Sequence, residues 1–477
     1  MSRLDLVRAA VTAIAVSFAT SCTVGPDYEV PQTEFAPAWH QARESGLVDG
    51  APVDAEWWRT FSDPLLDELV ARGLQKNLDL RASFARLQSA RALAGVAAAD
   101  LWPLLDARAS YEHREDSENT PFGEFIPRTN IHAIGVDASW ELDLWGRVRR
   151  SVEAADSELQ ASEADLQAAA ISVAGEVVAT YVDLRAAQRR LQIAQQNLAL
   201  QERTLALVQA RFSAGLVVER DVAQAATNVE STRARLPALE ASAIAAQNRL
   251  VVLLVDNKGE ILPMLTPTEA VPVLPLQIAV GVPADLLRRR PDVRAAERRF
   301  AAAIARVGVA EAERYPRFTL FGTLGLAGNS ADTVFADGSE VAAFGPSVRW
   351  NLFDGGRLRQ RVAALEATAE VAQLSWEKTV LLAVEETENA MTSFVREQAR
   401  RAALQRAALQ ARRAVQLAQT QYGAGLSDFQ SVIDSERTVA QIEDDLVTSG
   451  AVIARSVVGI FKALGGGVPA PAIAKGP

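Results

Sequence analysis

The single cysteine is the residue whose type and position most directly predict chemistry. Cys22 follows an apolar stretch over residues 9–19, and Arg3 and Arg8 precede that stretch. A basic start, a short apolar segment and small residues before the cysteine have the anatomy of a secretory signal peptide. The pattern resembles a bacterial lipobox, in which the thiol is acylated and becomes the mature N-terminus. We therefore predict a signal peptide over 1–21 and a lipid on Cys22, as a diacylglycerol thioether with an N-acyl chain. An ordinary signal peptide with an incidental cysteine is the alternative.

The other residue types that catalyse reactions or bind metals form no recognisable motif. The three histidines, His40, His113 and His132, are scattered, and none has the spacing of a zinc site. A lone cysteine excludes an intramolecular disulfide and a thiolate metal cage. The sequence has no phosphate-binding glycine loop and no nucleophile elbow. We predict that the protein is not an enzyme and carries no metal or cofactor apart from the covalent lipid.

Charge and hydropathy exclude two further classes. The formal net charge of −10 argues against a nucleic-acid partner, because such proteins cluster Lys and Arg against phosphates. After residue 22 no apolar run approaches the roughly 18 residues of a membrane-spanning helix, so the sequence predicts none. A membrane-spanning form of this chain would have to be a β-barrel.

An internal repeat divides the chain into two similar halves. Trp140 and Gly146 fall on Trp350 and Gly356 at an offset of 210 residues, and neighbouring positions match at the same spacing. A proline-rich segment with little periodicity separates the halves, which indicates a crossover. We predict an extended segment over 22–62, a first repeat over 63–255, a crossover over 256–283, a second repeat over 284–464 and a tail over 465–477.

Strict alternation of apolar and polar residues predicts two strands in each half. Strands of about ten residues suit a tilted crossing of a bilayer. Four strands leave two unpaired edges, and single-chain barrels need at least about eight strands. Three copies would supply twelve, so we predict a cyclic trimer. The alternative is a water-soluble protein with two hairpins packed on helices. The predicted strands are 104–113, 131–144, 317–327 and 341–353.

Heptad spacing predicts very long helices between the strands. Val177, Leu184 and Leu191 recur at seven-residue intervals, and such a pattern is typical of helices that pack against helical neighbours. A helix of about 65 residues would reach roughly 100 Å. Pro237 predicts a bend in the helix that returns from the first. The predicted helices are 65–101, 147–212, 219–255, 284–314, 357–422 and 427–464.

Taken together, three features resemble the TolC-like outer-membrane efflux proteins, and within them the lipoprotein, NodT-type branch that serves resistance-nodulation-division (RND) pumps. The features are CTVGPDY from Cys22 to Tyr28, the repeated W-x-L…G-R strand-to-helix junctions, and the F-x-A-G-L and Y-x-A-G-L turns. The resemblance covers the chain from Cys22 to about residue 467. It implies an α+β membrane protein in which a trimeric 12-stranded β-barrel joins a periplasmic α-helical barrel.

The resemblance also implies where a gate lies. The helical tips would be the turns around Gly215 and Gly425. In related channels a tyrosine before the second turn and aspartates after it close the pore and form a cation-attracting ring. Ser427 and Ser431 depart from the pattern of TolC itself, which has an arginine at the first position and a ring aspartate at the second. Helix capping is the alternative role for each acidic residue. The implied gate residues are Tyr422, Asp434, Asp428 and Asp221.

The function implied is a passive duct in the outer membrane that extends into the periplasm and exports small molecules such as drugs, toxic compounds or metals. Its implied partners are two further copies of the chain, a periplasmic adaptor protein, an inner-membrane RND-type pump and outer-membrane lipid. Two alternatives stay open from the sequence. One is a duct for type I protein secretion, and the other is a periplasmic coiled-coil lipoprotein that acts as a scaffold without a channel.

Overall fold

The structure is a computed structural model of the chain. It describes residues 23–30, 39, 47–49, 56–117, 119, 128–257, 259–268, 272, 278–280 and 289–466. The predicted signal peptide, Cys22 and most of the predicted tail lie outside the described residues.

The described elements follow one another in two similar series. The strands are β1 (Leu47–Asp49), β2 (Leu104–Arg114), β3 (Thr129–Leu142), β4 (Ile278–Val280), β5 (Arg317–Gly328) and β6 (Glu340–Arg349). The helices are α1 (Pro64–Lys76), α2 (Leu78–Ala99), α3 (Arg147–Ser213), α4 (Glu219–Arg233), α5 (Leu236–Leu254), α6 (Leu262–Leu265), α7 (Pro291–Ala312), α8 (Arg357–Gly423) and α9 (Phe429–Ala463).

The chain divides into two compact units, and α2, α3, α7 and α8 each contribute to both. The first unit contains Arg86–Ser162, Ala295–Glu377 and the residues up to Gln32; the second contains Thr33–Ala85, Glu163–Arg294 and Lys378–Pro477.

In the first unit the strands form one antiparallel sheet in the order β2-β3-β5-β6. The two halves of the sequence meet at its centre, where Val136 of β3 pairs with Leu324 of β5. Gly135 and Gly325 face each other beside that pair, and a Cβ on Gly325 would lie 2.6 Å from the carbonyl oxygen of Ile134. The close approach of the two central strands therefore requires glycine. Strands β2 and β6 form the two edges of the sheet.

Two predicted strands extend too far. The strands predicted over 131–144 and 341–353 end at Leu142 and Arg349. In both halves an aspartate follows the strand and turns the chain into a long helix: Asp143 accepts from the N–H groups of Val148 and Arg149, and Asp354 accepts from those of Gly356 and Leu358. Alternation in the sequence continues past the last ladder bond, but there the chain already turns toward the helix, and the aspartate carboxylates accept N–H groups at its start.

Two predicted helices are broken. The helix predicted over 65–101 is α1 and α2, because Asn77 leaves helical geometry and its side-chain oxygen accepts from the N–H groups of Asp79 and Leu80. The helix predicted over 219–255 is α4 and α5. Its break comes after Arg233, and Pro237 lies in the first turn of α5, where a missing N–H costs no helical bond.

Other boundaries also differ from the sequence prediction. Within the helix predicted over 284–314, α7 spans Pro291–Ala312. The segment predicted as extended over 22–62 includes a 3-10 helix, Trp57–Phe61, whose Trp57 stacks on Phe461 at 5.2 Å. The crossover contributes β4, which pairs in parallel with β1.

Helix α9 is not interrupted at Gly450. It is more apolar than the sequence prediction of no membrane-spanning helix implied. By length and composition this helix is long and apolar enough to cross a membrane, although the sequence predicted no such segment after residue 22. However, 61% of its most apolar 18-residue segment is buried within the structure, as in a core helix that packs against other helices.

Candidate functional site

The two turns predicted as helical tips have the same backbone geometry. Gly215 and Gly425 adopt φ of +71° and +72°. In each turn the residue after the glycine donates its N–H to the carbonyl five residues back, at 2.9 Å in the first turn (residues 214–218) and 2.8 Å in the second (residues 424–428). This is the Schellman arrangement that ends a helix at a left-handed residue. No atom lies within 4 Å of a Cβ built on either glycine, so the backbone conformation and not space requires glycine here.

The helices that leave the two turns begin differently. Val218 precedes α4 without a side-chain cap, whereas Asp428 caps α9 by accepting from the N–H and the hydroxyl of Ser431, at 3.0 and 2.6 Å. The hydroxyl bond from Ser431, followed by the backbone bond, holds the pKa of the Asp428 carboxyl below its ordinary value. Asp428 thus occupies the capping position that was the alternative to a pore role.

Tyr422 lies in an apolar cluster and not on the surface. It is 4% exposed and packs with Val208 of α3, Ala225 of α4 and Phe429 of α9. Its ring centroid is 5.3 Å from that of Phe429. Within the described chain its hydroxyl is buried without a hydrogen-bond partner. The cluster joins the four helices that meet at the two turns.

Arg211, near the end of α3, binds the end of α8. Its Nη1 and Nη2 donate to the carbonyl oxygens of Tyr422 and Gly423 at 2.7 and 2.8 Å. The guanidinium carbon also lies 4.6 Å from the centre of the Tyr422 ring, within the range of a cation–π interaction. A cation at a helix C-terminus is favourable because it faces unpaired carbonyls and the negative end of the helix dipole.

Glu436 occupies the buried face of α9 two turns beyond its start. It is 3% exposed, and its carboxylate accepts from the Thr204 hydroxyl at 2.9 Å and the Gln419 amide at 3.2 Å. The amide of Asn228 lies at 3.5 Å. Burial raises the pKa of the Glu436 carboxyl, and the bonds from Thr204 and Gln419 oppose that rise.

The remaining predicted residues are not brought together in one protomer. Asp434 is exposed and accepts from the amide of Gln430 at 2.9 Å. The Asp221 side chain is 15% exposed and lies 3.5 Å from the guanidinium of Arg220. Cys22 lies outside the described residues. In the described part of the chain no group of three or more His, Cys, Asp or Glu side chains is placed to hold a metal ion.

Arg211 and Glu436 were missed by the sequence analysis, although each carried a signal. Glu436 interrupts an apolar series spaced as one helical face, Phe429, Val432, Ile433 and Val439. Arg211 falls opposite Gln421 when the two halves are aligned at 210 residues, so it breaks the repeat directly before one of its turns.

Comparison with known proteins gives matches over nearly the whole chain. The family model described as outer membrane efflux protein matches residues 69–254 and 282–466. Nodulation protein T of Rhizobium leguminosarum bv. viciae is 32% identical over 459 residues, 95% of this chain and 92% of that protein. Outer membrane protein OprJ of Pseudomonas aeruginosa is 31% identical over 450 residues, 94% of this chain and 93% of that protein. A solved structure of the outer-membrane channel OprN has a TM-score of 0.88 at 37% identity and covers 93% of this chain and 99% of that one. Each of the two matched segments contains one long helix and one turn, followed by two returning helices in the first segment and one in the second.

Proposed function

The chain belongs to the outer membrane efflux protein family, and from this premise we propose that three copies form a passive duct whose sheets close into one barrel. It is an outer-membrane channel component of an efflux system, and its family is one of channels. The trimer, the barrel, the gate and the partners named below are our proposal for this chain.

The four-stranded sheet is the observation that carries this proposal. The register places Leu105, Val136, Leu324 and Phe344 on the same face, and they are 68%, 48%, 68% and 87% exposed. The opposite face carries Asp106, Arg108, Asp137 and Thr323, and Thr323 donates to Asp137 at 2.8 Å. One apolar and one polar face are what a wall between lipid and a water-filled channel needs.

The edges of the sheet support three copies. Within the described residues β2 and β6 pair on one side only. Their unpaired N–H and C=O groups would cost several kcal/mol each in lipid. In a cyclic assembly, β6 of one copy would pair with β2 of the next. A closed ring of three copies supplies twelve strands, a number within the range of outer-membrane β-barrels.

The first test is assembly and conductance. The purified full-length protein should run as a trimer in detergent by light scattering, and it should produce discrete single-channel currents in a planar bilayer. A monomer that inserts without currents would contradict the duct and support the periplasmic scaffold. Co-purification of the tagged protein with its inner-membrane partner distinguishes an RND-type pump from a type I secretion transporter.

We propose that Asp434 contributes to a cation-attracting ring at the tip. Its carboxylate is exposed and, among the contacts that the structure describes, accepts one hydrogen bond, from the neutral amide of Gln430. Three copies around one axis would concentrate negative potential there. Asp434→Ala should therefore weaken block of the channel by divalent cations at least severalfold, measured as the blocking concentration in single-channel recordings. Asp445→Ala, at another carboxylate of the same helix, is the control. Equal block in wild type and Asp434→Ala would remove Asp434 from the ring.

The proposed gate combines the buried Tyr422 with the exposed aspartates. Tyr422 would act from within its apolar cluster, while Asp428 would contribute charge from its capping position and Asp221 from the start of α4. The lipid on Cys22 would add a second attachment to the outer membrane, and an adaptor protein would connect the tip to the pump. The position of the cysteine after a signal-peptide pattern supports the lipid.

A further inference from the structure

The two turns are separate rigid units whose relative position has to be held by side chains. Each turn is closed by its own Schellman bonds, so neither backbone braces the other. The apolar cluster around Tyr422 joins them but has no directional bonds. Polar contacts between the two turns therefore have to resist a displacement of the second turn from the first.

We propose that Arg211 is the positioning residue that fastens the second turn to the first and keeps the tip closed. This inference rests on the proposed gate and deepens it. Among the described contacts, the hydroxyl of Ser427, after the second turn, reaches the carbonyl of the adjacent Asp428 at 3.4 Å and does not cross to the first turn. Arg211 lies before the first turn and reaches across to the second.

The contacts of Arg211 suit that task. Two of its N–H groups bind the carbonyls of Tyr422 and Gly423, and its guanidinium covers the Tyr422 ring. The Tyr422 carbonyl also accepts the N–H of Gly425, which is the bond that closes the second turn. Arg211 is thus attached to the hinge of that turn, and moving the turn outward would break two charge-assisted hydrogen bonds together with the ring contact.

The geometry also explains why arginine occurs here. The two accepting carbonyls belong to consecutive residues, and the planar fork of a guanidinium can bind both at once. A lysine at position 211 retains the charge next to the helix C-terminus and the ring, but it donates hydrogen bonds from one nitrogen and not from a planar fork. Arg211→Lys should therefore hold the turn partly, and Arg211→Ala should not hold it.

The experiment compares wild type, Arg211→Ala and Arg211→Lys as full-length trimers. Arg203→Ala is the matched control, because Arg203 is an exposed arginine of the same helix whose guanidinium bonds only to its own helix, at the Ala199 carbonyl, among the contacts described. Single-channel recordings measure open probability. In Cys22→Ser chains, spin labels on Leu216→Cys and Leu426→Cys measure the distance between the turns, since both leucines are exposed, at 70% and 80%.

Arg211→Ala should broaden the distance distribution and raise the open probability at least about tenfold, the equivalent of losing one strong contact. Arg211→Lys should fall between wild type and Arg211→Ala in both measurements, and Arg203→Ala should match wild type. Unchanged distances, or broadened distances with an unchanged open probability, would overturn the proposal. A wild-type protein that forms neither trimers nor currents would contradict the proposed function instead, and the distances would still decide whether Arg211 fastens the turn.

Discussion

Replacing Arg290 by methionine is expected to destabilise the second unit by about 3–5 kcal/mol, toward the lower figure because its acidic partners are partly exposed. The Arg290 side chain is 6% exposed, and it forms ion pairs with Asp292 at 2.6 Å and Glu386 at 2.9 Å. It also donates to the carbonyl of Ala463 at 3.1 Å. One cation therefore joins the start of α7, the middle of α8 and the end of α9, and methionine leaves all these acceptors without their donor.

The matched control is Arg289→Met, because Arg289 is the exposed neighbour of Arg290 and has the same charge. Thermal and denaturant unfolding, followed by circular dichroism in detergent, should show a large fall in the midpoint for Arg290→Met and little change for Arg289→Met. Equal midpoints for the two variants would show that the buried cation contributes nothing beyond its charge.

The same site predicts an acid dependence. Burial would raise the pKa of the Asp292 carboxyl, but the hydrogen bond and the charge of Arg290 outweigh burial and hold it below its ordinary value. A carboxyl with a lowered folded-state pKa contributes stability above its unfolded pKa, near 3.9, and loses that contribution as the pH falls further. Arg290→Met should therefore flatten the loss of stability that wild type shows below about pH 4.

Replacing Glu436 by glutamine is expected to stabilise the protein at neutral pH by about 1–3 kcal/mol, because it removes a buried charge and retains an acceptor for Thr204. The facing groups are neutral: Thr204 of α3, Asn228 of α4 and Gln419 of α8. Nearby cations are engaged elsewhere, since Arg437 donates to Asn228 and Arg211 to the end of α8. Among the described contacts no cation therefore compensates the buried carboxylate.

The sign of the pH dependence follows from the raised pKa of Glu436. The folded state holds the proton more tightly than the unfolded chain, so stability falls as the pH rises from about 4.3 through the folded pKa and then levels off. Glu436→Gln should abolish this slope, and the two proteins should be equally stable near pH 4. Glu240→Gln, at an exposed carboxylate of α5, is the control. If the pH dependence of stability persists in Glu436→Gln, it arises from another titratable group.

The local sequence pattern was sufficient to predict the helices and strands that have a strong apolar periodicity. The heptads around Leu184 predicted a helix over 147–212, and α3 spans Arg147–Ser213. Alternation predicted the four strands of the sheet, and the comparisons confirm the α+β channel fold expected from them. The repeat and the two A-G-L turns were visible because a left-handed residue after a long helix almost demands glycine.

Hydrogen bonds between side chains and the backbone determine where helices and strands end or break. The pattern of apolar and polar residues in the sequence does not reveal these bonds. Asn77 divides a continuous helical pattern because its amide also donates to the carbonyl of Leu253, a residue far away in the sequence. Asp143 and Asp354 accept N–H groups at the starts of the long helices, in segments where the apolar alternation of the strands still continues. In each case a polar side chain found a backbone partner that competes with the ladder or the helix.

Residue spacing along one chain is enough to establish the periodicity, the duplication and the family. The packing of the helices determines which residues meet at the two turns. It placed Tyr422 in the core, made Asp428 a helix cap, and brought Arg211 and Glu436 to partners more than 200 residues away along the chain. Burial and hydrogen-bond pairing are properties of the packed helices, and residue spacing alone does not specify them.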